Sequence, residues 1–230
     1  MLKVDRLAIA GLPPLSFDVA AGDCIAIEGP SGSGKTRILR AIADLDAAGG
    51  YVSLEGAERT ELPAPVWRQR VRYVSAEPAW WADTARAHVT RAPDRHRFER
   101  MAGSLGLAPG LLDAPIARLS TGERLRLGLA RALADEPRLI LLDEPTGALD
   151  ATATALTEEL IRFQLLARRA VILVSHDRAQ IDRLAQRSLL LGAAMATAAQ
   201  PAGADVTRAP AAATADERVA TLARRWGTQP

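Results

Sequence analysis

Eight consecutive residues constrain this chain more than any others. Gly29-Pro30-Ser31-Gly32-Ser33-Gly34-Lys35-Thr36 lies directly after an apolar, β-rich run ending at Glu28 and directly before a segment of helical period. Glycines at 29, 32 and 34 let the backbone curl so that successive N–H groups point inward. The helix that follows presents unpaired N–H groups and a partial positive charge at its start, which suits an anion. The eight residues match the P-loop pattern, in which Lys35 reaches the β- and γ-phosphates of a nucleotide and the Thr36 hydroxyl ligates Mg²⁺. Alone, they restrict the chain to the nucleoside triphosphatases and kinases of that class.

Around the loop, short apolar runs alternate with stretches of helical period, the pattern of an α/β protein with a largely parallel sheet. Strands are expected at 24–28, 51–54, 71–74, 138–142 and 170–174. Helices are expected at 36–45, with Ile38, Leu39, Ile42 and Leu45 on one face, at 124–134 and at 151–167. Between residues 83 and 118 the strand signals vanish and the text turns rich in Ala, Arg and Leu, which reads as an inserted helical lobe. The run Leu139-Ile140-Leu141-Leu142-Asp143-Glu144 is a buried strand ending in two acids, and doubly wound sheets bind ligands at such strand ends. There Asp143 would hold Mg²⁺ through water, and Glu144 would polarise an attacking water as general base.

Three further segments narrow the class. Leu119-Ser120-Thr121-Gly122-Glu123 opens a helix before the acidic strand, Ala148-Leu149-Asp150 follows the acids, and Ser175-His176-Asp177 follows the next strand. With these five segments in this order, residues 1 to about 192 resemble the ATP-binding subunits of the ABC superfamily. The resemblance implies a P-loop NTPase core with a mostly parallel sheet, an antiparallel β subdomain and a helical subdomain inserted at about 83–134. It implies ATP and Mg²⁺ as ligands, and ATP hydrolysis that drives a separate transmembrane permease. Two such domains, identical or related, would pair head to tail with ATP sandwiched between one P-loop and the other's signature segment. Ser120 and Gly122 would then contact the γ-phosphate held by the second copy, His176 would contact the γ-phosphate held by its own P-loop, and Asp150 belongs to the same nucleotide-contacting set. Catalysis would be positioning and charge stabilisation of an in-line attack by water.

Three positions depart from the family pattern. Ala76 stands where a glutamine usually contacts Mg²⁺ and communicates with the membrane subunit, and neighbouring Glu77 is the nearest polar substitute. Thr121 and Glu123 stand where Gly and Gln are commoner. Residues 6–14 hold no aromatic side chain to stack on adenine, so base recognition should be weak. Trp80 and Trp81 follow at the place where relatives receive their permease, so they suit either an interface or packing inside the helical lobe. His88 and His96 lack a catalytic setting and read as ordinary structural or surface histidines.

The bulk properties fit. A formal charge of +2 over 230 residues, scattered without a basic arm, gives no reason to expect a nucleic-acid partner. The single cysteine, Cys24, lies in an apolar run and reads as a buried core residue suited to a reducing cytoplasm. The N-terminus lacks a secretory signal, and the longest apolar or small run, residues 189–196, falls far short of the ~20 a membrane helix needs. The resemblance to ABC subunits then implies a cytoplasmic place, peripheral on the cytoplasmic face of the inner membrane. From residue 193 the composition shifts to Ala, Thr, Pro and Gly, which reads as a flexible tail over 193–230 with a short amphipathic helix at 217–226. Competing readings are a soluble ABC ATPase acting on DNA or ribosomes, a regulatory module that scarcely hydrolyses ATP, and a P-loop kinase. The kinase has no use for the signature segment.

Overall fold

Two sheets, one antiparallel and one parallel, share an apolar interior in the computed structural model, which describes residues 1–191. The expected tail at 193–230 and its helix at 217–226 lie outside the described residues. The smaller sheet contains β1 (Leu2–Ala8), β2 (Leu15–Val19), β4 (Gly49–Leu54) and β5 (Ala57–Glu58), in the order β2-β1-β4-β5. Its pairings are antiparallel, Val4 lying opposite both Phe17 and Val52. The larger sheet contains β3 (Cys24–Glu28), β6 (Val71–Val74), β7 (Leu139–Asp143), β8 (Ala170–Val174) and β9 (Arg187–Leu190), in the order β6-β7-β8-β3-β9. Every pairing in it is parallel.

The side-chain period of two in a strand decides how the core divides. In the larger sheet Cys24, Ala26, Ile140, Leu142, Val171 and Leu173 face one apolar cluster, while their neighbours Ile25, Ile27, Leu139, Leu141, Ile172 and Val174 face a second. Both faces are covered, which is why these strands read as continuous apolar runs rather than alternating ones. The first cluster is closed by α3 (Ala92–Ser104), α4 (Thr121–Ala134), α5 (Ala151–Leu166) and α6 (Arg178–Leu184). The second is closed by α1 (Lys35–Ile42), α2 (Ala64–Arg70) and the antiparallel sheet. Cys24 is fully buried in β3, and burial pushes its thiol up to about 12.

Several boundaries differ from the sequence expectation for identifiable reasons. Helix α1 stops at Ile42 instead of residue 45, and Leu45 is 40% exposed rather than on the buried face. Asp44 takes the left-handed conformation (φ 58), its N–H bonds Ala41 O, and Leu45 N–H bonds Arg40 O. These are the paired bonds of a helix-ending motif that usually carries glycine. Helix α4 starts at Thr121, three residues earlier than expected, because Ser120 caps it. The seven-residue helices α2 and α6 and strand β9 went unpredicted.

Between β6 and β7 the chain forms α3, α4 and short 3₁₀ turns. A bridge between Thr84 and Pro115 and a bond from Ile116 N–H to Asp83 O (2.8 Å) pin the ends of this stretch together. Among the described residues no helix is long and apolar enough to cross a membrane.

Candidate functional site

Parallel pairing puts the C-terminal ends of β3, β6, β7 and β8 along one edge of the larger sheet. The loop at residues 29–36 leaves β3, Asp143 and Glu144 end β7, and Ser175 and His176 follow β8 between them. This edge is where an open α/β sheet offers its binding crevice.

Helix α1 begins at Lys35 with Gly34 as its N-cap, at φ 96. A Cβ at Gly34 would lie 2.6 Å from Leu12 Cδ1 and push that side chain aside, but it is the backbone conformation that demands glycine. Lys35, a residue only 7% exposed, donates its ammonium to Gly29 O (2.7 Å) and Pro30 O (3.0 Å), folding the side chain over its own loop. Ser33 N–H bonds Pro30 O (3.2 Å), while Ser31 and Gly32 form the exposed crest.

The Thr36 hydroxyl donates to Asp143 Oδ2 (2.7 Å), joining the start of α1 to the end of β7. The Tyr73 hydroxyl donates to the same oxygen (2.9 Å) from β6. Burial, and then the charge on Asp143, push the Tyr73 phenol up to about 12, so it is a donor at neutral pH. Sequence reasoning missed this residue, because its role depends on the register between β6 and β7.

Glu144 sits at φ 51, the left-handed region that a non-glycine residue occupies at some strain, with its N–H bonded to Val174 O (2.9 Å). Its carboxylate Oε2 accepts from the His176 backbone N–H (3.3 Å), and His176 Nε2 stands 3.4 Å from Oε1. Burial raises the Glu144 pKa above the ordinary glutamate value, against the opposing pull of His176, and Lys35 lies within electrostatic reach. Among the described residues Oε1 is buried without a hydrogen-bond partner, as is Ser33 Oγ. Orphaned buried oxygens are rare in a finished interior and fit a crevice that a polar ligand completes.

The oxygen donors suit a hard cation. Mg²⁺ takes one or two protein oxygens and the rest from phosphates and water, which matches the Thr36 hydroxyl and the Asp143 carboxylate. Among the described residues no group of three or more His, Cys, Asp and Glu could hold a metal alone.

The remaining sequence candidates form a separate group. Ser120 caps α4: its hydroxyl accepts from Glu123 N–H (3.2 Å), while Glu123 Oε2 accepts from Ser120 N–H (2.7 Å). This reciprocal capping box gives Glu123 a local purpose. A Cβ on Gly122 would stand 3.1 Å from Ala148 O, so the start of α4 abuts the loop leading to Asp150. Asp150 in turn caps α5 by accepting from Ala153 N–H (2.8 Å). Contacts thus bring Lys35, Thr36, Asp143, Glu144 and His176 together, and leave Ser120, Gly122 and Asp150 on their own helix starts.

Ala76 and Glu77 occupy an exposed bend after β6, and the protein donors to Asp143 are Thr36 and Tyr73 rather than Glu77. Beyond that bend lies a cleft of about 390 Å³, lined by Gln69, Arg72, Tyr73, Trp81, His88 and Arg131 among others. Trp81 is 74% exposed, whereas Trp80 packs against the first apolar cluster. The Arg131 guanidinium lies over both rings, 4.4 Å from Trp80 and 4.9 Å from Trp81. His88 Nε2 accepts from the N–H groups of Trp81 (2.9 Å) and Ala82 (3.1 Å), and Nδ1 faces Thr84 O, so the ring is neutral and holds this loop. His96 is exposed on α3.

Comparison with known proteins gives concordant results. The sequence profile of the family described as ABC transporter matches residues 12–147. The molybdenum import ATP-binding protein ModC of Aromatoleum aromaticum is 38% identical over 198 residues, 80% of this chain and 52% of that protein. The hemin import ATP-binding protein HmuV of Streptomyces coelicolor is 36% identical over 211 residues, 85% of this chain and 75% of that protein. A solved structure of the ATP binding subunit of an ABC transporter superposes with a TM-score of 0.75, covering 83% of this chain and 85% of that one. Its identity of 22% makes that a likeness of fold. The chain spans about half the length of the first curated relatives it matches.

Proposed function

Since the chain belongs to the ABC transporter family, we propose that it binds ATP with Mg²⁺, hydrolyses it, and passes the work to a separate membrane permease. The observation that carries this reading is the junction of Thr36, Asp143, Glu144 and His176 at one sheet edge beside the glycine loop. In this reading Lys35 leaves the carbonyls of Gly29 and Pro30 for the β- and γ-phosphates. The N–H groups of residues 29–36 cradle the phosphate chain at the start of α1.

Thr36 and Asp143 would hold Mg²⁺, Asp143 through water. The ion supplies neutralisation of the phosphate charge as it develops. Glu144 takes a proton from the attacking water: its carboxylate is half-buried and raised in basicity, and the His176 N–H fixes its orientation. The His176 ring, 60% exposed, is free to meet the γ-phosphate.

Ser120, Gly122 and Asp150 lie at helix starts on another part of the chain, so they serve the nucleotide held by a second copy or a related chain. Residues 83–134 act as the helical subdomain that carries this signature, within an ATP-binding domain spanning 1–192 and followed by the tail at 193–230. The cleft beside Trp81 and Arg131 receives the permease, whose membrane spans fix the protein to the cytoplasmic face of the inner membrane.

The test compares ATP turnover of the wild type, Lys35→Ala and Glu144→Gln. Loss of turnover in both variants, with ATP binding retained in Glu144→Gln, supports the reading. Equal turnover in wild type and Glu144→Gln overturns it. That second result would favour a regulatory nucleotide-binding module, to which the bare methyl group of Ala76 lends some support.

A further inference from the structure

Tyr73 stands in β6 opposite Leu141 of β7, two residues short of Asp143. Two residues of parallel strand span about 6.6 Å, roughly the reach of a tyrosine side chain, so a Tyr at this register brings its hydroxyl to the end of the neighbouring strand. Both hydrogen bonds to the Asp143 carboxylate fall on Oδ2, from Thr36 and from Tyr73, and Oδ1 has no hydrogen-bond partner among the described residues. The Tyr73 ring forms part of the wall of the cleft that holds Trp81, His88 and Arg131.

A ligand carboxylate needs a partner that fixes its plane, and losing such a supporting contact typically costs about 10- to 100-fold in metal affinity. The Thr36 hydroxyl has one donor hydrogen and two lone pairs, so it can donate to Oδ2 while its oxygen meets a metal, but its position then shifts with that metal. Tyr73 is the second donor to the same oxygen, held in its strand and with no metal contact to make.

We propose that Tyr73 is a positioning residue for the metal that accompanies ATP: its hydroxyl bond to Oδ2 fixes the Asp143 carboxylate so that Oδ1 stays free to accept from metal-bound water. The inference rests on the reading of residues 29–36 and Asp143 as the Mg·ATP site. It assigns to β6 a share in that site which neither Ala76 nor Glu77 provides.

The experiment is calorimetric titration of the full chain with a non-hydrolysable ATP analogue, once with Mg²⁺ and once with EDTA, for wild type and Tyr73→Phe. The phenyl ring keeps the packing and removes only the hydroxyl. A hydrogen bond to a carboxylate of this kind corresponds to an about tenfold effect, so the gain in affinity that Mg²⁺ confers should fall about tenfold in Tyr73→Phe. Binding in EDTA should stay unchanged. In an Asp143→Asn background the same substitution should alter the Mg²⁺ gain less than about twofold, since the coupled partner is gone.

An undiminished Mg²⁺ gain in Tyr73→Phe overturns the proposal. So does an equal loss with and without metal, which would mark general damage, or a full effect in the Asp143→Asn background. If the wild type itself shows no Mg²⁺ gain, the metal site at Thr36 and Asp143 is wrong, and that failure is separate from a failure of Tyr73 alone.

Discussion

The backbone N–H of His176 donates to Glu144 Oε2 at 3.3 Å, tying the end of β7 to the residue that follows β8. The contact belongs to the main chain, so it survives substitution of the His176 ring. Two roles can therefore be separated: the backbone orients the carboxylate, and the imidazole faces outward.

The pKa of Glu144 is raised, chiefly by burial, so its proton is held more tightly in the folded state than in the unfolded one. The acid limb of the ATPase pH profile should therefore lie above the ordinary glutamate value of 4.5, and His176→Ala should move it further up while lowering the rate, because the ring's opposing charge is lost and only the backbone N–H contact stays. The linkage has a definite sign: stability is favoured when Glu144 is protonated and is lost as pH rises through the folded pKa. Glu144→Gln should consequently be more stable than wild type at pH 7. The gap should close as pH falls through the raised value to the unfolded one. Urea unfolding at several pH values checks this, and a gap that widens toward acid contradicts it.

The capping box at Ser120 and Glu123 carries a stability prediction. Ser120→Ala removes the side-chain acceptor of Glu123 N–H and should cost about 1 kcal/mol in denaturant unfolding. Ser120→Asp should restore most of that stability, since Asp caps well, but should not restore ATP-driven assembly, because it adds negative charge where a phosphate would sit. Recovery of both together would contradict the proposed phosphate contact.

Two tryptophans should behave oppositely. Trp67 is fully buried and donates its indole N–H to Ile42 O (2.9 Å), so Trp67→Ala should destabilise by about 3–5 kcal/mol. Trp81 is mostly exposed, and Trp81→Ala should change stability by less than about 0.5 kcal/mol while weakening capture of the permease. Denaturant unfolding and a pull-down with the permease separate the two. Unfolding caused by Trp81→Ala would mean that this ring is structural.

Nucleotide selectivity should be weak. Residues 6–14 offer no aromatic face, and Leu12 is committed to packing over Gly34. Stacking on an aromatic is worth about 1–3 kcal/mol per base where it occurs, so without it ATP and GTP should bind within about tenfold of each other. Competition binding measures this directly, and a strong ATP preference would show that the base is held by other groups.

The parts of the fold legible in the sequence were those whose cause is local. The glycine loop, the apolar run ending at Asp143 and Glu144, and burial of Cys24 each follow from a few contiguous residues. What stayed hidden depended on partners distant in sequence or on a residue in an uncommon role. Asp44 ends α1 from a position that usually carries glycine, so the helical period seemed to run on to Leu45. Helices α2 and α6 have seven residues each, too few for a period of 3.6 to declare itself. The Ser120-x-x-Glu123 spacing was itself a visible helix-start signal, though Glu123 read only as a departure from a family pattern. Tyr73 looked like any strand aromatic, because only the pairing of β6 with β7 sets its hydroxyl beside Asp143.

The central claim is that the groups on Ser120 and Gly122 complete a site whose other half is Lys35, Thr36 and Glu144 of a second chain. Light scattering of the Glu144→Gln protein, with Mg²⁺ and increasing ATP, tests it most directly. The account predicts a mass that rises from 24.5 kDa to twice that value as ATP saturates, and that returns to the lower value when Ser120 is also replaced by Asp. A mass that stays at 24.5 kDa at saturating ATP, with the permease's cytoplasmic segments supplied, would contradict it.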